Sequence, residues 1–274
     1  MSPLLAILIL ALAVATTVTL MLVVRRFVAP AGGFFTDSDR SAGVFGVTGT
    51  GFAVLLAFVI FLSFSSYERA REKASIEAVA ISQLLRTARL FSPDTRQQLQ
   101  GLLICYARAV VHDEWDTMRD GRESLLVNDW LARIEQTVEG IQLTTDRQRV
   151  AYDHWFQQAA ERREGRRGRL DQAEPLVPWL VWLALILGGV LIVAYMCFYA
   201  DPAEPAIVQA LMMGAVTTMV VAGMLVVRFL DQPYEEASGS IKPAAMTMTL
   251  QRIEADSRVS DTVAARLCDE RGQP

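Results

Sequence analysis

The stretch SAGVFGVTGTGFAVLLAFVIFLSFSSY, residues 41–67, decides the fold because it contains no Asp, Glu, Lys or Arg. It is longer than the roughly 20 apolar residues that a helix needs to cross a bilayer. Hydrocarbon cannot hydrate free backbone N–H and C=O groups, so such a stretch must be helical. Three further uncharged runs lie at residues 3–24, 175–200 and 205–227. The sequence therefore predicts an integral membrane protein with four transmembrane helices.

These runs form two pairs that are separated by a long polar segment. That segment shows helical spacing of apolar residues and no alternating strand pattern, so we predict an all-α protein. The first run lacks a preceding basic segment and exceeds the usual length of a signal-peptide core, so we expect it to be retained. The predicted domains are a first transmembrane hairpin at 1–67 with spans near 3–24 and 42–66, a helical insert at 68–174, a second hairpin at 175–228 with spans near 176–200 and 205–227, and a tail at 229–274.

The insert is predicted to be a set of helices. No Gly or Pro occurs between Phe52 and Ser92, so the second helix is expected to continue beyond the membrane and to end near Phe91. Ser92-Pro93-Asp94 is typical of a helix start. Further helices are expected near 123–138 and 145–163, with a break at Asp120-Gly121. A last helix is expected to carry Met246, Leu250, Ile253, Val259, Val263 and Leu267.

Composition excludes several functions. The chain has 274 residues and a net charge of −4, without a compact basic block, so no nucleic-acid partner is expected. Cys105, Cys197 and Cys268 are far apart and form no CxxC pair, which predicts free thiols rather than a disulfide or a zinc site. The two histidines, His112 and His154, are too distant in sequence to predict a metal site. No catalytic motif is present, so neither an enzyme nor a cofactor is expected.

Positive charges near the span ends predict the orientation. The insert contributes eight such residues, whereas the loops on the other side contribute three. The eight are Arg69, Arg71, Lys73, Arg162, Arg163, Arg166, Arg167 and Arg169, and the three are Arg25, Arg26 and Arg40. We therefore expect the insert and both termini to lie in the cytoplasm. Arg25 and Arg26 argue in the opposite direction.

The second span has two halves of different character. Its outer half is rich in Gly and contains Thr48, Thr50 and Phe52, which favours either close helix packing or the lining of an aqueous path. Its inner half is bulky, and Leu56, Ile60 and Phe64 share one face by their i, i+4, i+8 spacing. Repeated around a symmetry axis, that face would form apolar rings that gate a pore by dewetting. A stripe that faces lipid would have the same spacing.

The densest charge cluster lies at the end of the insert. It comprises Arg162, Arg163, Arg166, Arg167 and Arg169. The positive-inside rule and contact with anionic lipid account for such a cluster. The alternative is an electropositive vestibule that concentrates anions, for which Arg166, Arg167 and Arg169 are the candidates.

Three motifs resemble the bestrophin family, in particular its divergent bacterial members. The run Ile60-Phe61-Leu62-Ser63-Phe64 is similar to the pore helix of that family where it leaves the membrane. The tail carries Asp231-x-Pro233-Tyr234, and residues 107–115 read Ala-Arg-Ala-Val-Val-His-Asp-Glu-Trp. The arrangement of two spans, an insert and two spans also matches.

This resemblance implies a homopentamer in the bacterial inner membrane with a central ion pathway. It implies a neck formed by Ile60 and Phe64, which Leu56 joins by helical spacing. The expected function is passive conduction of chloride or other small anions. A cation channel of the same build and a non-conducting membrane scaffold are the alternatives. A calcium site is not expected, because only Asp231, Glu235 and Glu236 are available near the tail and they do not form a longer acidic run.

Overall fold

The computed structural model describes residues 2–27, 38–199, 204–255 and 267–274. Within these ranges every regular element is helical and no strand occurs. The longer helices are α1 (Pro3–Phe27), α2 (Ser38–Ala88), α3 (Pro93–Ala109), α5 (Leu125–Glu139), α6 (Asp146–Asp171), α7 (Trp179–Phe198), α8 (Ala206–Asp231) and α9 (Ala244–Ala255). A π-helical turn (Val110–Glu114), the short α4 (Trp115–Thr117) and a 3₁₀ turn (Met118–Asp120) follow α3.

The predicted helix starts and breaks agree with the local structure. Ser92 caps α3, because its hydroxyl accepts a hydrogen bond from the backbone N–H of Thr95 at 3.4 Å. Thr145 and Gln148 form a capping box at the start of α6. Gly121 ends the preceding helical segment with a φ of 67°, a conformation that glycine adopts without strain. α9 carries Met246, Leu250 and Ile253 of the predicted tail helix, whereas Val259 and Val263 lie outside the described residues and Leu267 lies in a turn.

Residues 1–66, 175–232 and 236–239 form the first compact unit. It contains α1, α7, α8 and the first part of α2, and each of these four helices is long and apolar enough to cross a membrane. Glycines let the helices approach closely. A Cβ atom on Gly188 would lie 2.6 Å from the Phe52 ring, and one on Gly223 would lie 2.6 Å from Leu56 Cδ2.

Polar contacts also join the span helices. Thr217 Oγ1 on α8 lies 3.1 Å from Thr17 Oγ1 on α1. Gln209 on α8 accepts a hydrogen bond from Arg25 at 3.2 Å. Hydrogen bonds between membrane helices satisfy polar side chains that hydrocarbon cannot solvate.

Residues 67–174, 233–235 and 240–274 form the second compact unit. It has one hydrophobic core, to which α2, α3, α5, α6 and α9 contribute. The apolar residues of α5 recur at helical spacing, so they lie on one face, and this face is buried in the core. These are Val127, Trp130, Ile134 and Val138.

A disulfide joins Cys105 on α3 to Cys268 in the C-terminal segment, across a sequence separation of 163 residues. The prediction of free thiols is therefore wrong for this pair, and Cys197 is the buried free thiol. The sequence could not indicate this pairing, because Cys105 and Cys268 are far apart in the chain and only folding brings their Cα atoms to 5.8 Å.

The C-terminal segment is also held by its backbone. Gly272 has a φ of 78°, and a Cβ atom there would lie 2.5 Å from the backbone nitrogen of Ala109. Trp130 Nε1 donates a hydrogen bond to the Gly272 carbonyl at 2.8 Å. Glycine is therefore needed where this segment meets α3.

Candidate functional site

The structure places two of the predicted pore residues against neighbouring helices of the same chain. Leu56 is buried and contacts Gly223 of α8, and Phe52 is buried against Gly188 of α7. Ile60 is half-buried and packs against the same apolar cluster. Within one chain Leu56 and Phe52 therefore fill space between helices, and their role in lining a path stays a prediction.

The opposite face of α2 is exposed. Val54 is 65% exposed, Phe58 59% and Phe61 64%. The i, i+4, i+7 spacing puts the three side chains on one stripe. We call Val54, Phe58 and Phe61 the outer stripe of α2. Phe64, predicted to form the neck, is 50% exposed and lies to one side of this stripe by its spacing.

The two predicted threonines are also exposed. Thr48 donates its hydroxyl hydrogen to the Val44 carbonyl at 2.9 Å, a bond within the same helix. Thr50 precedes Val54 by one turn, so it extends the outer stripe toward the start of α2. Exposed threonine hydroxyls on a helix can contact water while the backbone hydrogen bonds of the helix stay intact.

A buried network of charged side chains lies in the second unit. Arg169 on α6 donates from Nε to Glu77 Oε2 at 2.7 Å and from Nη2 to Glu114 Oε2 at 2.6 Å. Arg166, one turn earlier, contacts Glu114 Oε1 at 2.5 Å and 3.0 Å. Tyr106 donates its hydroxyl hydrogen to Glu77 Oε1 at 2.5 Å. The two arginines and two glutamates therefore neutralise each other inside the core.

These contacts control protonation. Burial would raise the pKa of Glu114, but Arg169 and Arg166 outweigh it and hold that pKa below its ordinary value. Burial, assisted by Glu77, raises the pKa of Tyr106, so this phenol stays protonated and keeps its donor hydrogen. Burial opposes the charge of Arg169, but Glu77 and Glu114 more than compensate and raise its pKa. Glu114 therefore stays ionised near neutral pH beside the charged Arg166 and Arg169.

The members of the arginine cluster differ in their surroundings, and their role as a vestibule stays a prediction. Arg166 and Arg169 were predicted as candidates for an electropositive vestibule, but both are buried and paired with carboxylates, whereas Arg167 is exposed. The helical spacing of these arginines already indicated which of them are buried. Arg162, Arg166 and Arg169 follow the buried Trp155 at intervals of about two, three and four helical turns, so they lie on the buried face of α6.

Close helix approach makes the network possible. A Cβ atom on Gly165 would lie only 2.6 Å from the backbone nitrogen of Glu77. The glycine therefore lets α6 touch α2, which brings Arg169 within hydrogen-bond distance of Glu77. Glu114 lies in the segment 107–115 that the sequence singled out, but its role as a buried counter-ion was missed.

The predicted tail motif divides between the two units. In the first, Asp231 accepts a hydrogen bond from the Val177 backbone N–H at 2.8 Å. In the second, the Tyr234 ring packs edge-on against Trp115 with centroids 5.6 Å apart, and the Pro233 carbonyl accepts from Ile241 N–H at 2.8 Å. Burial raises the pKa of Tyr234. The motif thus has structural contacts in both units.

Comparisons with known proteins identify the fold. A sequence model described as a Bestrophin-like domain matches residues 11–246. A crystal structure of a bacterial bestrophin homologue from Klebsiella pneumoniae is 16% identical, with a TM-score of 0.68, and the match covers 94% of this chain and 98% of that chain. A variant of a Klebsiella pneumoniae bestrophin homologue is 16% identical with a TM-score of 0.70, covering 92% and 98%. No significant match was found among curated proteins.

Among the described residues, four helices are long and apolar enough to cross a bilayer, which defines a multi-span membrane protein. The chain belongs to the Bestrophin-like family, because the family match extends over most of its length. Membership of this family supports a role as an ion channel rather than as an enzyme.

Proposed function

We propose that this protein is a homopentameric channel that passively conducts small anions such as chloride. The observation that carries the proposal is the outer stripe of α2. Val54, Phe58 and Phe61 are apolar and exposed on the side opposite to the chain's own packed face. Copies arranged around an axis would cover this stripe and enclose a path between their second helices.

The outer stripe has the chemistry of a hydrophobic gate. Stacked rings of Phe and Val side chains make water unfavourable in a narrow bore, and ions cannot pass without their hydration water. Leu56 packs beside Gly223 within the chain, which supports the outer stripe as the face turned toward the path. Phe58 and Phe61 are therefore the proposed constriction, with Ile60 and Phe64 at its sides.

Truncating the constriction is expected to increase conduction. Phe58→Ala and Phe61→Ala should each raise chloride efflux from proteoliposomes several-fold, because smaller side chains widen the bore and let water enter. Flux is measured at equal protein content, with the oligomer mass determined on the same sample. Leu56→Ala is the matched control, since it removes a buried side chain of the same helix and should change stability rather than flux.

Two outcomes would contradict this proposal. Equal flux in wild type and both Phe variants would remove the outer stripe from the pathway. A monomer or dimer in detergent would favour the non-conducting scaffold instead. Reversal potentials in asymmetric NaCl decide between anion and cation conduction, which the apolar stripe does not itself determine.

We infer that the insert lies in the cytoplasm of a bacterial cell, with the spans in the inner membrane. The support is the excess of Lys and Arg beside the insert. Arg163 and Arg167 are exposed and are the members of the cluster that we now propose for an electropositive entrance, since the buried Arg166 and Arg169 are neutralised.

A further inference from the structure

Arg162 is buried without a carboxylate. It is 5% exposed, and its guanidinium carbon lies 5.7 Å from the ring centroid of Tyr106. Within the part of the chain that the structure describes, Arg162 forms no ion pair and no hydrogen bond. Arg166 and Arg169, on the same face of α6, each bind a glutamate. Arg162 therefore differs from its neighbours on this face.

Arg162 lines two open cavities, so its guanidinium is accessible to a ligand although the residue is only 5% exposed. A buried charge is normally paired, and removing its partner destabilises a protein strongly. The cation–π contact with Tyr106 balances the charge only in part, because such contacts are weaker than a buried ion pair. An anion that reaches the Arg162 guanidinium would satisfy it.

Two cavities meet at Arg162. A charged cleft of about 660 Å³ is lined by Arg162, Arg163 and Arg167. A second groove of about 220 Å³ shares Arg162 and Arg163 with this cleft, and its other lining residues are mainly apolar. They include Leu103, Ile134, Val138, Trp155 and Phe156. The arginines thus lie where an apolar space opens into a polar one.

The carboxylates around Arg162 limit the negative charge that a ligand can carry. Glu123, Glu164 and Asp171 line the cleft, Glu139 lines the groove, and Glu135 lines both. Glu164 is paired with Lys73 at 2.5 Å. The other carboxylates would repel a multivalent anion such as phosphate. A single negative charge is therefore the better match to Arg162.

The volume of the groove limits the size of the apolar part of a ligand. A cavity of about 150 Å³ holds one benzene molecule. The groove beside Trp155 is somewhat larger at about 220 Å³, so it has room for one aromatic ring or a short aliphatic chain.

We propose that Arg162 and Arg163 bind the carboxylate of a small organic acid whose apolar body occupies the groove beside Trp155. A carboxylate can accept two parallel hydrogen bonds from a guanidinium, which gives this ligand a geometric advantage over a spherical halide. The site is distinct from the outer stripe of α2, and it does not depend on ion conduction.

Benzoate titration of the purified full-length protein in detergent tests the proposal. Benzoate should shift the thermal unfolding midpoint and quench Trp155 fluorescence, and Trp155→Phe assigns the fluorescence signal. Benzyl alcohol, the neutral analogue, and inorganic phosphate should each bind at least tenfold more weakly. Loss of a charged hydrogen-bond partner costs about 1.5–3 kcal/mol, so Arg162→Gln should weaken benzoate binding at least tenfold.

Arg167→Gln is the matched control, because Arg167 is an exposed arginine of the same helix that lines the cleft but not the groove. It should retain benzoate affinity. If Arg162→Gln fails to fold, a second variant is available at Ala159, which also lines the groove. Ala159→Leu fills the groove without removing a charge and should also abolish binding. Equal affinity for benzoate and benzyl alcohol, tighter binding of phosphate, or normal benzoate binding by Arg162→Gln or by a folded Ala159→Leu would each overturn the proposal.

Discussion

Glu114→Ala is expected to lower the free energy of unfolding by about 3–5 kcal/mol, the usual cost of removing one partner from a buried ion pair. Glu114 is fully buried and accepts hydrogen bonds from both Arg166 and Arg169. Its removal would leave two guanidinium groups in the core with Glu77 as the one carboxylate in the network. The Glu114 side chain is 0% exposed, so the lost acceptor lies at a position that solvent does not reach in the folded wild type.

Chemical denaturation in detergent, followed by far-UV circular dichroism, measures this effect. Glu123→Ala is the matched control, because Glu123 lies 4.0 Å from Arg166 but its side chain is 60% exposed. That variant should change the unfolding free energy by less than about 1 kcal/mol. A loss below about 1 kcal/mol in Glu114→Ala would show that the buried network contributes little to stability.

Acid provides a second measurement of the same network. The folded pKa of Glu114 is depressed below its ordinary 4.5, so its contribution to stability is fully present above that value. This contribution is lost as the pH falls through the folded pKa. The wild type should therefore lose stability more steeply than Glu114→Gln below pH 4.5, and parallel curves for the two proteins would contradict the assignment.

Cys105→Ser is expected to destabilise the oxidised protein by about 2–5 kcal/mol, because it opens a cross-link between residues far apart in the chain. The C-terminal segment would then be held mainly by contacts such as that between Trp130 and the Gly272 carbonyl. Limited proteolysis should release this segment faster from the variant. Cys197→Ser is the control, since Cys197 is a buried free thiol and its replacement leaves the cross-link intact.

Thiol labelling tests directly whether the disulfide forms, because it counts the free cysteines. Denatured, unreduced wild type should take up one alkyl group, and reduced protein should take up three, as read by intact mass. Three groups without reduction would show that no disulfide forms. Alkylation of intact cells before lysis also bears on the proposed orientation, because a reducing cytoplasm would keep Cys105 and Cys268 as thiols. A fully oxidised pair in cells would place the insert on the oxidising side of the membrane.

The sequence by itself determined the membrane class and the helical fold. Bilayer hydrocarbon leaves uncharged runs such as residues 41–67 no alternative to a helix, so length and composition were sufficient. Helix caps such as Ser92 and Thr145 were also predictable, because a cap depends on residues only two or three positions away. The motifs that resemble bestrophins likewise agree with the family match.

Tertiary structure alone decided which face of each helix is buried and which distant residues meet. An apolar span has apolar residues on every side, so spacing could not show that Leu56 packs beside Gly223 while Phe58 is exposed. Cys105 and Cys268 meet only through folding, as do Glu77, Glu114 and Arg169. The physical reason is that helix formation depends on near neighbours, whereas charge pairing and cross-linking depend on contacts between residues tens to hundreds of positions apart.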